Sequence, residues 1–411
     1  MAKKIVVIGA GAAGMMAAIT AGKTADVLLI EKNDRVGKKL FITGKGRCNV
    51  TNAGDADVFF NSVVTNSKFM YSSFYSFDNN MVMDFLEKAS CPLKVERGGR
   101  VFPVSDHSSD VIGAFKMLIN RNHNIKLLTD SKVLQIKCED GQVTGVVIQE
   151  KENKKNREID CDAVIVATGG MSYPLTGSTG DGYKWAEKCG HTIKELSPSL
   201  VPFEIEEKCC RDMMGLSLKN VDLHIKCGKK KIFDEQGEML FTHFGISGPT
   251  VLSASCHLKG EGCRLMLDLK PALESEKLEA RILRDLEQYQ NRSMENALVD
   301  LLPRSMIPVV LRRLDISPEM QANSLTKQKR RTLVELLKAF PIDITGKRPV
   351  SEAIITSGGV KVSEIDPKTM ESKLVTGLYF AGEIIDCDAY TGGFNLQIAW
   401  ATAYAAGMAV R

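Results

Sequence analysis

The chain has 411 residues, enough for roughly two to three domains. Hydrophobic residues make up 44% and charged residues 25%, which is typical of folded globular proteins and excludes wholesale disorder. The net charge of +4 gives no support for a nucleic-acid partner. The 11 cysteines form no CxxC pair and no Cys/His spacing typical of a metal site. We therefore expect reduced thiols, a cytoplasmic location and no bound metal.

The amino-terminal segment admits two interpretations. Residues 1–4 are basic and an apolar run follows, which imitates a secretory signal peptide. However, Gly9, Gly11 and Gly14 interrupt the run with a spacing that a signal peptide does not need. The run is also short and glycine-rich for a membrane span, and no other segment is long enough. We therefore favour a folded nucleotide-binding motif here and expect no membrane partner.

The glycine spacing fits a strand, a tight turn and a helix. Residues 5–8 form a β-branched run typical of a buried parallel strand, and residues 9–14 match GxGxxG. In this motif the glycines permit the turn, the approach of a pyrophosphate and close packing of the following helix. The next predicted strand, residues 27–30, ends at Glu31, where an acid accepts hydrogen bonds from an adenosine ribose. The pattern predicts a dinucleotide site and leaves FAD and NAD(P) open.

Further glycine-rich segments follow along the chain. Residues 37–52 combine glycines with cations and amides, which suits phosphate and flavin binding or, equally, a solvated basic turn. Residues 163–170 predict a buried strand that ends in Thr-Gly-Gly, and residues 377–383 predict another that runs into a turn. Residues 396–410 predict a final helix, whose amino terminus would face whatever the glycines at 392–393 approach.

The middle of the chain has a different pattern. From residue 192 to 271, short alternating strands predict a small antiparallel sheet or barrel, with a hairpin turn at 234–237. From 275 to 340 the apolar period becomes helical, and the basic cluster at 327–331 is typical of a solvated helix face. Strand character returns at 354–357. We predict a cofactor domain in two parts, 1–191 and 351–411, with an inserted β-rich domain, 192–272, and a helical subdomain, 273–350.

The motifs, in this order, resemble the flavoproteins with two dinucleotide-binding domains, in which both chain ends bind FAD. More closely, the chain resembles the bacterial HI0933-like flavoproteins, which include BaiN-like reductases of the bile-acid dehydration pathway and aminoacetone-oxidase-like enzymes. The matching segments are residues 37–39, 43–52, 177–182, 241–249, 356–360, 369–373 and 391–397. The resemblance implies an α/β, Rossmann-like two-dinucleotide-binding-domain flavoprotein fold with an inserted β-rich domain and a helical subdomain.

The resemblance also implies which residues bind FAD. The pyrophosphate is expected at Gly9, Gly11, Ala13 and Gly14. The adenosine end is expected at Glu31, Val133, Thr168 and Gly169. The path to the flavin is expected along Lys38, Lys39, Thr43, Gly44, Arg47, Cys48 and Asn49. The pyrophosphate and the pyrimidine edge of the flavin are expected near Asp386, Gly393, Phe394, Asn395 and Gln397.

Three residues are candidates for chemistry beyond FAD binding. Cys48 is a candidate redox thiol, although a small buried packing residue is the favoured interpretation. His243, in a glycine-rich loop of the insert, is a candidate proton donor or substrate ligand, with a structural role as the alternative. Tyr390 lies beside a flavin-side motif, where its phenol could polarise a carbonyl or simply pack and form local hydrogen bonds.

The resemblance implies an FAD-dependent oxidoreductase. The leading hypothesis is NAD(P)H-linked reduction of an activated C=C bond, such as that of a bile-acid or steroid enone, with NAD(P)H as a transient electron donor and a small molecule as substrate. One alternative is oxidation of a small amine such as aminoacetone by dioxygen. Another is a flavin-binding redox or RNA-associated module without turnover. The sequence holds no second GxGxxG for NAD(P)H and does not choose among these hypotheses or predict an oligomeric state.

Overall fold

The structure is a computed structural model that describes residues 2–151, 154–258 and 262–410. It divides into two compact units, each with its own core. The first unit joins the two ends of the chain, Met1–Ser199 and Val350–Arg411. The second unit is Leu200–Pro349. The finer division of the second unit into a β-rich domain and a helical subdomain stays a prediction.

The elements are numbered in chain order. The strands β1 to β20 are Lys4–Ile8, Asp26–Ile30, Thr51–Asn52, Leu93–Glu96, Arg100–Pro103, Ile125–Leu128, Ser131–Glu139, Gln142–Glu150, Asn156–Asp160, Ala163–Val166, Ile193–Ser199, Phe203–Glu204, Ser217–Cys227, Lys230–Phe241, Gly245–Ser247, Cys263–Asp268, Phe340–Ile344, Gly346–Lys347, Ile355–Val360 and Leu378–Phe380. The helices α1 to α14 are Ala12–Ala21, Lys38–Ile42, Ala56–Ser62, Tyr71–Ser76, Asn79–Lys88, Ser108–Arg121, Asp181–Lys188, Lys208–Asp212, Pro249–Ser255, Ser275–Gln288, Met294–Ala297, Ile307–Arg313, Lys327–Lys338 and Phe394–Ala409. Short 3-10 turns lie at Thr43–Gly46, Ser67–Met70, Pro174–Thr176, Ala322–Ser324, Val350–Glu352, Val362–Glu364 and Gly382–Ile384.

A parallel sheet with the strand order β20-β10-β1-β2-β6 organises the first unit. Strand β1 pairs with β2 on one side and with β10 on the other. Its residues 5–8 are at most 4% exposed, because helices cover both faces of such a sheet and favour a continuous β-branched run. The predicted buried strands at 5–8, 27–30, 163–167 and 377–380 are confirmed, and all four lie in this sheet.

Helices α1 and α14 pack against each other beside this sheet. Both are apolar on all sides, which is typical of fully buried helices. A Cβ on Gly407 of α14 would lie only 2.8 Å from the carbonyl oxygen of Ala17, so glycine permits the close crossing. No helix in the described part of the chain is both long and apolar enough to cross a membrane.

Small antiparallel sheets complete the described part of the first unit. Their strand orders are β7-β8-β9, β3-β5-β4 and β11-β19. Strand β7 begins at the carboxyl end of β2, because the Ser131 N–H donates to the Glu31 carbonyl at 3.0 Å. This contact brings the start of β7 to the predicted ribose acid.

The second unit is built on an antiparallel sheet with the strand order β17-β16-β13-β14-β15-β12-β18. Helices α10, α12 and α13 contribute apolar side chains to the same core as the sheet. On α10, Leu278, Ile282 and Leu286 repeat every four residues and are at most 6% exposed. The predicted antiparallel sheet and the predicted helical period are both confirmed. The basic cluster at 327–331 opens α13, where Arg330 and Arg331 pair with Glu279.

The predicted hairpin turn at 234–237 is wrong. Residues 230–241 form the single strand β14, and the turn lies earlier, at residues 228–229, where Gly228 has a φ of +59°. Gly237 pairs with Val221 of β13 inside the ladder. A Cβ on Gly237 would overlap the hydroxyl of Thr250 at the start of α9, so this glycine serves helix packing instead of a turn.

The expectation that all cysteines are reduced thiols is wrong for one pair. Cys227 and Cys263 form a disulfide between β13 and β16. The two residues face each other directly in the antiparallel register, with their Cα atoms 4.2 Å apart. A spacing of 36 residues gave no signal for this contact, because it depends on how two distant strands pair. The other described cysteines are free thiols.

A buried histidine predicts a pH-dependent stability for the first unit. The side chain of His191 is fully buried, its Nε2 lies 2.8 Å from the Ser372 hydroxyl, and burial lowers its pKa below the ordinary value. The folded state therefore binds this proton less readily than the unfolded state, whose pKa is about 6.5. The free energy of unfolding should therefore not depend on His191 titration well above pH 6.5, and it should fall as the pH drops below 6.5. The fall should be about 1.4 kcal/mol for every pH unit over which His191 is protonated only in the unfolded chain.

Urea unfolding at pH 7.5 and pH 5.5 tests this expectation. The variant His191→Gln cannot titrate, so it should lose less stability than the wild type over the same interval. Equal losses in the two proteins would contradict the assignment.

Candidate functional site

The GxGxxG loop joins β1 to α1 at the carboxyl edge of the parallel sheet. Gly9 has a φ of +98°, and its N–H donates to the Ile30 carbonyl at 2.8 Å. A Cβ on Gly14 would overlap the Gly9 carbonyl oxygen, so only glycine lets the helix lie this close to the strand. In contrast, a Cβ on Gly11 would meet no atom of the described residues within 4 Å. Open space therefore lies above Gly11 at the uncapped amino terminus of α1, which favours a phosphate.

Glu31 directly follows β2 at the same edge of the sheet. It is 8% exposed, and its Oε2 accepts a hydrogen bond from the Ala10 N–H at 2.8 Å. Its Oε1 accepts from the backbone N–H and the side-chain amide of Asn33, at 2.9 and 2.7 Å. Carboxylate oxygens retain further lone pairs for a ribose hydroxyl. Val133, the third residue of β7, is buried on the strand that begins beside Glu31.

Thr168 follows β10 at the next position along the edge. Its Oγ1 is buried and has no hydrogen-bond partner within the described residues. Gly169, with a φ of +70°, comes next, and its Cβ position lies 3.3 Å from the Ser178 hydroxyl. A Cβ on Gly9 would lie 3.3 Å from the Thr168 Cα, so the unpaired hydroxyl belongs to the same edge as the glycine loop. A buried hydroxyl is unfavourable without a partner, and this one faces Gly182 at the start of α7, since a Cβ on Gly182 would lie 2.2 Å from its Oγ1.

Glu383, just beyond β20, connects several segments of the first unit. Its Oε2 lies 2.6 Å from the Lys39 Nζ, and its Oε1 accepts from the Ser172 hydroxyl at 3.0 Å and the Thr356 N–H at 2.9 Å. The sequence prediction included Lys39 and missed Glu383, Ser172 and Thr356. An acid in the turn that follows a buried parallel strand, three residues beyond β20, was the signal that could have identified Glu383.

We expect the Lys39–Glu383 pair to contribute measurably to stability. Both side chains are about four-fifths buried, at 23% and 21% exposed, so solvent screens their attraction only partly. A double-mutant cycle with Lys39→Met and Glu383→Gln should give a coupling free energy of roughly 1–2 kcal/mol in urea unfolding.

The matched control is Lys88 with Asp84, a pair at the same 2.6 Å separation but 75% and 60% exposed. Its coupling should stay below about 0.5 kcal/mol. Equal coupling free energies in the two pairs would contradict the prediction that the buried Lys39–Glu383 pair contributes more to stability than an exposed pair.

The glycine-rich segment 37–52, predicted to lead to the flavin, begins with α2. Lys38 pairs with Asp34 at 2.8 Å, and the Thr43 hydroxyl donates to a carbonyl of α2 at 2.8 Å. Gly44 has a φ of +61°, and a Cβ there would lie 3.2 Å from the Asn49 nitrogen. The Asn49 side chain accepts from a backbone N–H of β5 at 3.2 Å. These contacts hold the loop, and the roles of its residues toward a cofactor stay predictions.

Arg47 is bound by protein groups. Its guanidinium pairs with Glu96 and Asp106 and lies 4.1 Å from the centre of the Phe102 ring. The hydrogen bond from Arg47 lowers the pKa of Glu96, while hydrogen bonds from Lys94 and then Arg47 lower that of Asp106. In this structure Arg47 anchors the loop to β4 and β5, and its predicted role toward a cofactor stays a prediction.

Cys48 is fully buried, with a φ of +60°. Burial raises the pKa of its thiol well above the ordinary value, so the sulfur is protonated and a poor nucleophile. This environment is that of the small packing residue favoured on sequence grounds.

The amino terminus of α14 packs against the segments that contain Thr51 and Phe59. Gly393 precedes the helix with a φ of +99°, and a Cβ there would overlap the backbone of Thr51. No side chain caps this 16-residue helix, so its first N–H groups stay available to an acceptor. Phe394, at 7% exposed, packs 6.5 Å from the Phe59 ring.

Asn395 and Gln397 on the first turn of α14 are already engaged by the protein. Asn395 accepts from the Ala389 N–H at 2.9 Å and donates to the Ala389 carbonyl at 2.7 Å. Gln397 is 1% exposed, accepts from the Thr51 hydroxyl at 2.7 Å and donates to the Phe77 carbonyl at 2.9 Å. Their side chains fix the helix to its neighbours, and their predicted contacts with the flavin stay predictions.

The last predicted residues are divided between the two units. Asp386 is 8% exposed and accepts from the Asn66 amide at 3.0 Å, and the Tyr390 N–H donates to the Ser62 carbonyl at 2.9 Å. His243 lies in the second unit, between β14 and β15, with an exposed side chain whose ring is 5.0 Å from that of Phe244. The catalytic roles of Tyr390 and His243 stay predictions.

The residues present fit FAD. Open space above Gly11 suits the pyrophosphate, the buried Glu31 suits a ribose, and the Thr168 hydroxyl has no protein partner in the described chain. Ala13 lies beside Gly382, so β20 closes the same edge. The described residues include no cluster of His, Cys, Asp and Glu that could hold a metal ion.

Known proteins resemble this chain over its whole length. The model of the HI0933-like protein Rossmann domain matches residues 3–409. A relative from Clostridium scindens, named 3-dehydro-bile acid delta(4,6)-reductase, is 29% identical over 415 residues, 99% of this chain and 98% of its own. A relative from Escherichia coli, named ribosomal RNA dihydrouridine synthase, is 29% identical over 403 residues, 97% of this chain and 96% of its own.

Among solved structures, the 3-ketosteroid delta1-dehydrogenase from Sterolibacterium denitrificans superimposes with a TM-score of 0.53 at 12% identity, covering 98% of this chain and 99% of its own. At this identity the likeness shows the fold alone, and it confirms the predicted Rossmann-like flavoprotein fold. The family match confirms the predicted family. The chain belongs to the HI0933-like family of FAD-dependent oxidoreductases.

Proposed function

We propose that the protein reduces a C=C bond conjugated to a carbonyl group, with a small enone as substrate and NAD(P)H as transient electron donor. The observation that carries the proposal is the carboxyl edge of the parallel sheet, which carries the open space above Gly11, the buried Glu31 and Thr168, whose hydroxyl has no partner among the described residues. The relatives' names support the reaction class. A bile acid delta(4,6)-reductase and a dihydrouridine synthase both saturate a C=C bond conjugated to a carbonyl.

The chain would contribute binding, orientation and electrostatics. When bound, FAD supplies the hydride chemistry that protein side chains lack. The amino terminus of α1 above Gly11 would bind the pyrophosphate, and Glu31 would fix the adenosine end. The amino terminus of α14, after Gly393, would stabilise negative charge on an acceptor placed against it.

A second candidate substrate is uracil within RNA. Two relatives, from Escherichia coli and Haemophilus influenzae, are named ribosomal RNA dihydrouridine synthase, each at 29% identity. The C5=C6 bond of uracil is conjugated to a carbonyl, so the same site chemistry serves both substrates. The small enone stays the first proposal because the balanced charge, +4 over 411 residues, lacks the basic excess that RNA-binding proteins carry.

The test supplies the FAD-loaded protein with NADPH without oxygen and offers a steroid enone, a uracil-containing ribosomal RNA fragment or aminoacetone. Mass spectrometry should show the enone with two added hydrogens. Reduction of uracil alone would assign the second candidate. Peroxide release with aminoacetone in air, without reduction of either C=C bond, would contradict both.

A further inference from the structure

A separate pocket of about 870 Å³ lies in the first unit. It is lined by residues 34–36, by residues of α2 and α6, by the end of β6 and by the segment at 173–176. Of the predicted FAD-binding residues, only Lys38 belongs to the lining. The volume is in the range of small-molecule sites. The pocket adjoins the carboxyl edge of the parallel sheet, since Asp34 and Thr129 of its lining follow β2 and β6, but its lining includes neither Gly11 nor Thr168.

Most of the pocket surface is apolar, although polar and charged side chains also line it. Its apolar residues include Val36, Phe41, Ile42, Ile112, Leu127 and Leu175. Leu175 is 95% exposed, Phe41 52% and Ile42 42%. Large apolar side chains that cluster in an open concave surface indicate a ligand or partner, whereas scattered ones do not.

Two cations in the lining form no salt bridge in the described part of the chain, although the charge of Arg35 acts on the neighbouring Asp34, whose pKa is lowered by its hydrogen bond with Lys38 and also by this charge. Arg35 and Lys116 are exposed and form no salt bridge or hydrogen bond within the part of the chain that the structure describes. Lys38 is already paired with Asp34, at 2.8 Å, and Asp34 is the carboxylate of the lining. The pocket therefore combines a mainly apolar surface with an excess of positive charge, since its lining carries three cations and one carboxylate.

We propose that this pocket binds a fatty acid, a flexible aliphatic chain with one carboxylate. The chain would cover the apolar wall, and the carboxylate would meet Arg35 and Lys116 at the rim. A dinucleotide, with several charges and polar sugars, would leave its polar groups against aliphatic side chains, which is unfavourable. A neutral apolar molecule would leave both cations without a partner.

The pocket is connected to the ribose acid through Asn33. The Asn33 amide donates to the Thr176 carbonyl at 3.1 Å and to the Glu31 Oε1 at 2.7 Å. Lys38, which also lines the pocket, donates to the Asn33 Oδ1 at 3.3 Å. A ligand that contacts Thr176 and Lys38 therefore shares Asn33 with Glu31. We expect the occupied pocket to change how tightly the protein retains FAD.

Isothermal titration calorimetry of decanoate into the FAD-loaded protein tests the proposal. The double variant Arg35→Gln, Lys116→Gln should weaken binding about tenfold or more, as should Leu175→Ser. Lys126→Gln, an exposed lysine outside the lining, should leave binding unchanged. All four positions are exposed, so the variants should fold normally, which their thermal unfolding would check.

Decanol tests whether binding needs the carboxylate, and cholate tests whether it needs the flexible chain. Decanol has the same chain without the charge and should bind about tenfold more weakly than decanoate. Cholate carries its carboxylate on a rigid ring system, so its binding in place of decanoate would overturn the fatty-acid assignment. Absence of decanoate binding, or equal binding by the double variant, would overturn the proposal. Neither outcome would bear on enone reduction, which is measured separately.

Discussion

Replacing Gly11 with alanine should leave the apoprotein folded but remove most of its affinity for FAD. Gly11 has a φ of −80°, which alanine adopts readily, and the added methyl would meet no protein atom within 4 Å. The change in the free energy of unfolding should be within about 1 kcal/mol. The methyl would instead occupy the space that we assign to the pyrophosphate, so the Kd for FAD should rise by about 100-fold or more.

Gly14→Ala is the matched control for this prediction. Here the methyl would overlap the Gly9 carbonyl oxygen, so the apoprotein itself should lose roughly 2–4 kcal/mol of stability. Urea unfolding of the apoproteins and fluorescence titration with FAD separate the two effects. If Gly11→Ala binds FAD as tightly as the wild type, the cofactor does not pass above Gly11.

Glu31→Gln should weaken FAD binding about tenfold or more and also lower stability. The carboxylate accepts from the Ala10 N–H, the Asn33 N–H and the Asn33 amide, so an amide nitrogen in its place would face a donor. A buried N–H left without an acceptor costs about 1–3 kcal/mol. The loss of a charged acceptor for the ribose hydroxyl would add its own effect on FAD.

The measurements are urea unfolding of the apoprotein and the FAD retained after gel filtration. Glu139→Gln, at an exposed position of β7, serves as the control and should change neither. A Glu31→Gln protein that retains FAD like the wild type would show that this acid does not hold the ribose.

The elements that the sequence predicted well depend on local information. The β-branched run at 5–8, the glycine spacing at 9–14 and the four-residue repeat from Leu278 each encode their own structure over a few residues. The positions of Gly9, Gly14 and Glu31 at one sheet edge follow from the general geometry of a parallel sheet. For this part of the fold, local residue patterns and the geometry of a parallel sheet were sufficient for a correct prediction.

The remaining features depend on contacts between distant segments. Glu383 meets Lys39 across 344 residues, and no local pattern indicates that contact. Gly237 was interpreted as a turn residue, although it is needed for the close approach of Thr250. Asn395 and Gln397 were predicted near the flavin, and the sequence did not show that their side chains also form hydrogen bonds to Ala389 and Thr51. Residue type alone does not show which partner a polar side chain selects.

The most direct test of the central claim is an oxygen-free experiment with the FAD-loaded protein in two stages. NADH or NADPH is added until the visible absorption of oxidised flavin disappears, and a steroid enone is then mixed in while that absorption is followed. The proposed reduction of a carbonyl-conjugated C=C bond predicts that the absorption returns as the enone is converted to its saturated ketone. Flavin that stays reduced in the presence of the enone and of uracil-containing RNA, and that is reoxidised only by dioxygen, would contradict it.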